Sequence, residues 1–488
     1  MATVCRLIPL ESSILSSITV ALFLPRQPSH ELGFQDAIEY SYFDFFCENT
    51  ASELSGYFDT SVWNCLVLQI GSHETFAQET IIAIGALAKS IHTVPLHADF
   101  VDLQEGRSHY QYAIRRYGKA LRLMQHISQQ QGDRRIENTL VSSLLTTCFE
   151  SFIGNQENAI AQGQIGSKIL AYHRRNPLHG GAQSFPDNDL FCTFVRLDTQ
   201  IAMFQDGRRY PHNVEEQSPE AITQSMSPFL QQMPAVFSSA KEARIYWDLM
   251  VGVAMRWRAW SQRGDFTTLD FGENDIRDNI LKRDDHAQKV QLQGQLYMET
   301  MQAWFQAFQP IFDRARAEEG SIDFLGVTTL MIKYLGTRLA IPSQAYGDYQ
   351  DGSLSDSTTI VRLCAELLTL KGKKSSPANS VFIFDDSIVA GLFLVATRCR
   401  YGVVRRQAIE LLRNHPRREG LWDSMMAVKV ASWFMEKEEQ GLSHDIIPID
   451  ARFKITKIDF SLTHRKAVVR CARVLDDGTP DFEATLTW

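Results

Sequence analysis

Between positions 275 and 289 the chain gathers Asp275, Asp278, Asp284, Asp285, His286 and Lys289. Clustered carboxylates are the donors that Mg²⁺ takes, and a lysine beside them could neutralise the diphosphate of a substrate. In a catalytic reading Asp284 and Asp285 hold the metal, and Lys289 supports ionisation of a prenyl diphosphate inside an apolar, helix-lined cavity. A plainer reading competes with it. An Asp-rich stretch at the start of a long helix also offsets the helix dipole and keeps a surface solvated. That reading is preferred, so metal ligands and a magnesium cofactor belong to the catalytic alternative alone.

Other reactive pairs are weaker. Asp385 and Asp386 follow Phe382-Ile383-Phe384 and are expected to cap the next helix, Ile388 to Arg398, with carboxylates at its positive end. Ser238 and Lys241 have S-x-x-K spacing, but the companion motifs of that chemistry are missing. No P-loop, G-x-G-x-x-G, H-E-x-x-H or G-x-S-x-G stretch is present. The sequence therefore leans away from an enzyme.

Charge and cysteine usage narrow the function classes further. The 57 acidic and 49 basic side chains leave a net charge of −8, whereas proteins that grip nucleic acid unaided usually carry a basic surplus. No direct nucleic-acid binding is expected. The cysteines, Cys5, Cys47, Cys65, Cys148, Cys192, Cys364, Cys399 and Cys471, are scattered, and none forms a C-x-x-C ligand pair. Cys148, inside the apolar run Leu144 to Phe149, reads as a buried reduced thiol. The apolar stretch Ile14 to Leu24 is broken by serines and has no cationic leader. No run approaches the roughly 20 residues a membrane helix needs, so neither secretion nor a membrane is expected.

The elements that must position these residues are mostly helices. Ile81, Ile84, Leu87 and Ala88 line one helical face, and Ala113, Ile114, Tyr117, Leu121 and Met124 form a second stripe opposite Arg115, Lys119 and Arg122. Further helices are predicted over Glu137 to Ile153, Leu190 to Phe204, Ala243 to Trp260, Lys289 to Phe312, Phe324 to Leu339, Ile360 to Leu370 and Gly420 to Glu438. Breaker-rich loops are expected at 177–189, 207–219 and 371–379, the last carrying Lys371, Lys373 and Lys374. Near the C-terminus the period falls to two, at Ile458, Phe460 and Leu462 and again at Phe482, Ala484, Leu486 and Trp488. With turn residues at Thr463 to Lys466 and Asp476-Asp477-Gly478, this predicts a small antiparallel β meander. The fold class expected is mainly α, with residues 1–32 a flexible tether, 33–488 one large helical domain and the meander, 448–488, packed on it.

Several short segments resemble one family in the same order along the chain. They are Tyr42-Phe43-Asp44-Phe45-Phe46, Thr50 to Asp59, Trp63, Leu66 to Gln69, Ile84 to Leu87, and Tyr117 to Leu121. Cys148-Phe149-Glu150, Gly154-Asn155, Ala159, Pro416 to Ser424 and the closing meander continue the series. Together they resemble the fungal-specific transcription factor domain, the regulatory region of fungal binuclear zinc-cluster factors, from about residue 35 onward. The resemblance implies an all-α regulatory domain and a place in the nucleus; without it the chain is expected in the cytoplasm.

That family usually joins such a domain to a six-cysteine zinc cluster that reads DNA as a dimer. The cysteines here cannot supply one, since Cys5 alone precedes the similar region. Promoter contact is therefore expected through a DNA-binding partner protein or a homodimer, under control of a small-molecule effector in an apolar interhelical pocket. The alternative is an atypical enzyme of fungal specialised metabolism, for example a Mg-dependent terpene cyclase built on the same scaffold.

Overall fold

In a computed structural model of the chain the described residues are 33–58, 61–93, 104–127, 133–175, 188–204, 233–263, 276–340, 350–372, 381–442, 445–474 and 482–488. The expected tether, 1–32, lies outside them, as do most of the three expected loops. In chain order the helices of the first half are α1 (Ala37–Phe45), α2 (Ala51–Ser55), α3 (Val67–His73), α4 (Thr75–Thr93), α5 (Gln104–Met124), α6 (Asp133–Ile153), α7 (Gln156–Arg175) and α8 (Asn188–Phe204). Then come α9 (Ala240–Arg263), α10 (Ile276–Ala315), α11 (Ile322–Ala340) and α12 (Gln350–Gly372). The remainder is β1 (Val381–Ile383), α13 (Ile388–Arg398), α14 (Gly402–Asn414), β2 (Arg417–Glu419), β3 (Trp422–Asp423), α15 (Ser424–Glu439), β4 (Phe453–Ser461), β5 (Lys466–Arg473) and β6 (Phe482–Thr487). The fold is mainly α with a small C-terminal β meander. Among the described residues no helix is long and apolar enough to cross a membrane.

Helix α4 is central. Ile81, Ile82, Ala83, Ile84, Leu87 and Ala88 are all buried, and an apolar surface on every side is what an interior helix needs. On α5 the core takes Ala113, Tyr117 and Ala120, while Ile114 and Leu121 of the expected stripe are each 39% exposed. Polar pairing turns the helix. Arg116 meets Glu39 at 2.6 Å and Glu79 at 2.7 Å, and Lys119 meets Glu79 at 2.7 Å. The buried Glu79 thus pulls the basic side of α5 toward α4, so Lys119 does not stand on a merely solvated face.

Two three-stranded sheets complete the described residues. In the first, β1 runs parallel to β2, which pairs antiparallel with β3. This sheet corrects the expectation of helix from Gly420. The helix starts only at Ser424, because Asp423 caps it by accepting the Met426 N–H at 2.9 Å. Gly420, at φ +55°, makes the turn between β2 and β3. The second sheet is the predicted meander, ordered β4-β5-β6 and antiparallel throughout. Ile458, Leu462 and Leu486 point into the core, and the turn after β4 closes through Arg465 at φ 47°. The second predicted turn, Asp476 to Gly478, lies outside the described residues.

Candidate functional site

A cavity of about 160 Å³ is lined by helices α8, α9, α11, α13 and α15, by Trp422 of the first sheet and by the meander. Three of these helices contribute a stripe each. Arg196, Thr199 and Met203 come from α8, Lys333, Gly336 and Thr337 from α11, and Ala390, Leu394 and Thr397 from α13. Spacings of three, four and seven place these residues one above another on the inner face of each helix. Gly391 lets α11 and α13 close together, since a Cβ there would lie 2.7 Å from the Ile332 side chain. Trp247, Phe393, Phe434 and Ile458 belong to its apolar wall.

One end of the cavity is charged. Arg196 donates to Asp248 at 2.7 Å and to the Thr193 hydroxyl at 2.8 Å. Lys333 donates to Asp385 at 3.2 Å and to Asp386 at 2.9 Å. Arg244 closes on Asp385 and stacks its guanidinium 3.9 Å above the Phe58 ring. Three cations therefore meet three carboxylates in a place with little water, an arrangement tolerable only because each charge has a partner.

Proton affinities follow from that pairing. Burial works against the Asp385 carboxylate, but Lys333, Arg244 and Arg196 outweigh it and hold its pKa well below the usual carboxylate range. Asp386 moves upward: burial dominates and the charge of Asp385 adds to it, with Lys333 only partly offsetting them. Burial also opposes the Lys333 charge, yet Asp385 and Asp386 overcome it and raise its pKa.

Asp385 and Asp386 are therefore not the caps expected of them. The first N–H groups around α13 go instead to Glu419 of β2, whose fully buried carboxylate accepts from Ser387 at 2.9 Å and Val389 at 3.0 Å. Lys333 engages both aspartates directly, and their charges, with that of Asp248 behind them, keep it cationic. The S-x-x-K pair also separates, with the Ser238 hydroxyl donating to Glu242 at 2.7 Å and Lys241 meeting Asp189 at 2.9 Å.

Asp278, Asp284, Asp285, His286 and Lys289 all fall on α10, and Asp275 just before it. The side chains of these five, and the whole of Asp275, lie outside the described residues. Neighbouring helical positions such as 284 and 285 do not face one another. Cys148, Cys192, Cys364, Cys399 and Cys471 are buried in the described core, and burial pushes the Cys148 thiol well up. Cys5 is outside the described residues.

The segments that carry the family resemblance are brought together. Tyr117 stacks on Phe149 at 3.9 Å and donates to Glu150 at 2.7 Å, which also accepts from Asn155 at 2.8 Å. Arg417 donates to the Tyr57 hydroxyl at 3.1 Å, and Arg418 to the Phe152 carbonyl at 3.2 Å. Trp63 packs edge-on to Phe384, the residue that leads into Asp385. The two aromatic contacts are packing, while Arg417 and Arg418 tie β2 to Tyr57 and to the end of α6.

Over 86 residues, 16% of this chain, the sequence is 38% identical to the aspercryptin biosynthesis cluster-specific transcription regulator atnN of Emericella nidulans. The chain is related there to a transcription regulator. The similar segment spans 14% of that relative's length. No family model and no solved structure matches the chain.

Sequence reasoning missed the cavity's charged end. A signal existed in cations flanked by apolar residues, Arg196 between Val195 and Leu197 and Lys333 between Ile332 and Tyr334. A charge set among apolar neighbours on a helix that packs inward must find a partner there.

Proposed function

We propose that this chain is a transcription regulatory protein of the fungal-specific transcription factor domain type, which acts in the nucleus on genes of secondary metabolism. The observation that carries this reading is the similarity to a regulator whose own name ties it to one biosynthetic cluster. The mainly α fold and the convergence of the resembling segments around Arg417, Tyr57 and Glu150 support it. The chain senses a small effector in the cavity between α8, α11 and α13, and the effector acts by binding two conformations with different affinity. Promoter contact comes through a DNA-binding partner or a second copy of the chain, because 57 acidic against 49 basic side chains leave no basic surplus for phosphates.

Deleting the gene and measuring transcripts genome-wide tests the reading. A set of co-located biosynthetic genes should change expression, and a tagged chain should be recovered with their promoters only while its DNA-binding partner is present. Unchanged transcripts, or a sequence-specific gel shift by the purified chain alone at physiological salt, would count against it.

A further inference from the structure

We infer that the cavity between α8, α11, α13 and the meander takes a small uncharged molecule with an apolar body and one carbonyl-type hydrogen-bond acceptor. This rests on the effector-sensing reading above and adds the chemical class.

Its first support is a pair of buried donors. Ser387 and Trp422 both line the cavity, 4% and 2% exposed. The Ser387 hydroxyl and the Trp422 indole N–H have no hydrogen-bond partner among the described residues. A buried donor without an acceptor is costly, and native structures rarely leave one unless water or a ligand completes it. An indole N–H can only donate. Lys333 adds to the same character, since two of the three N–H donors of its ammonium are engaged by Asp385 and Asp386.

Charge gives the second constraint. Arg196, Arg244 and Lys333 already face Asp248, Asp385 and Asp386. An anionic head at this end would add a fourth carboxylate to three paired ones, and a cation would add a fourth positive charge. Either would be buried without a counter-ion. Arg398 and the exposed Lys454 also line the space, and binding of an acid through them is an outcome the experiment separates.

Size is the third. A dry apolar cavity of about 150 Å³ holds a benzene-sized guest, so 160 Å³ fits one ring with a short polar substituent. Trp247, Phe393 and Phe434 provide the aromatic walls for it.

Purified full-length protein should be titrated with acetophenone, ethylbenzene and benzoate, following tryptophan fluorescence and calorimetric heat. These probes share a ring and differ in the acceptor or in charge. Acetophenone should bind about tenfold more tightly than ethylbenzene, the difference one donor left unsatisfied would make. Benzoate should bind more weakly than acetophenone. Ser387→Ala, a small change at a helix start, and Trp422→Phe should each narrow the gap between acetophenone and ethylbenzene. If Trp422→Phe fails to fold, Ser387→Ala carries the comparison. Equal binding of acetophenone and ethylbenzene, tightest binding of benzoate, or no binding by any probe would overturn the inference. Direct binding is read without transcription, so the regulatory reading could fail while this result stands, and the reverse.

Discussion

Glu419 shows how much one buried carboxylate organises. Its Oε2 accepts the N–H groups of Ser387 and Val389, and its Oε1 lies 2.8 Å from the Arg417 guanidinium. Arg417 in turn reaches Tyr57, whose phenol burial pushes up to about 12. Residues 360 positions apart are thus joined through one acid and one base. Glu419→Ala would leave a buried guanidinium without its counter-ion and two helix N–H groups without an acceptor. Its expected cost is about 3 to 5 kcal/mol. Glu419→Gln keeps the shape and one acceptor oxygen, and should cost roughly 1 to 3 kcal/mol. Urea unfolding of the two variants measures the difference, and equal small losses would mean that water replaces the carboxylate.

Elements differ in how openly the sequence announces them, and the turn between β2 and β3 is the instructive case. Gly420 adopts a left-handed conformation, and a Cβ there would sit 1.9 Å from the Gln200 side-chain oxygen. Gln200 uses that oxygen to accept from Leu421 and its amide to donate to the Phe384 carbonyl. Gly420→Ala therefore meets both backbone strain and a collision that would displace Gln200 from the turn. A loss of about 2 to 4 kcal/mol is expected, against about 1 kcal/mol for Gly441→Ala, which has φ +80° but open space around it. Chemical denaturation of both variants provides the comparison, and similar losses would remove the steric part of the argument. Periodicity revealed helices such as α6, α8 and α11, and the two-residue alternation revealed β4 and β6. Strands of two and three residues are too short for a period, so β1 and β2 give no signal and β3 falls inside the helix expected from Gly420. The stripe on α5 was misjudged at Ile114 and Leu121 because the buried Glu79, on another helix, decides which way α5 faces. The cavity itself was legible only as an expectation of a pocket between helices. Its charged end depends on Arg196, Lys333 and Asp386, which lie far apart in sequence and meet only in the fold.

At the scale of the whole molecule, the six clustered charges make stability depend on pH in two opposing senses. Asp385 is held below the ordinary carboxylate range, so its contribution is complete above the unfolded value of about 4 and disappears on further acidification. Asp386 is shifted upward, so the folded state favours its proton, and its contribution weakens as pH rises through its folded pKa. Lys333 balances the two by donating to both, and its own raised pKa keeps it cationic until strongly alkaline conditions. Lys333→Met removes that shared cation. Asp385 retains Arg244 and Arg196, but Asp386 loses the one cation it is seen to contact. The variant should be less stable by about 3 to 5 kcal/mol at neutral pH. Its Tm should fall as pH is raised from about 5 to about 8, because Asp386 must give up a proton with no counter-charge nearby. Combining Lys333→Met with Asp386→Asn removes the group that titrates and should flatten the profile again. Thermal unfolding of wild type, single and double variants across that pH range tests the assignment. A single variant whose profile runs parallel to wild type would show that Lys333 is not the counter-ion that keeps Asp386 ionised.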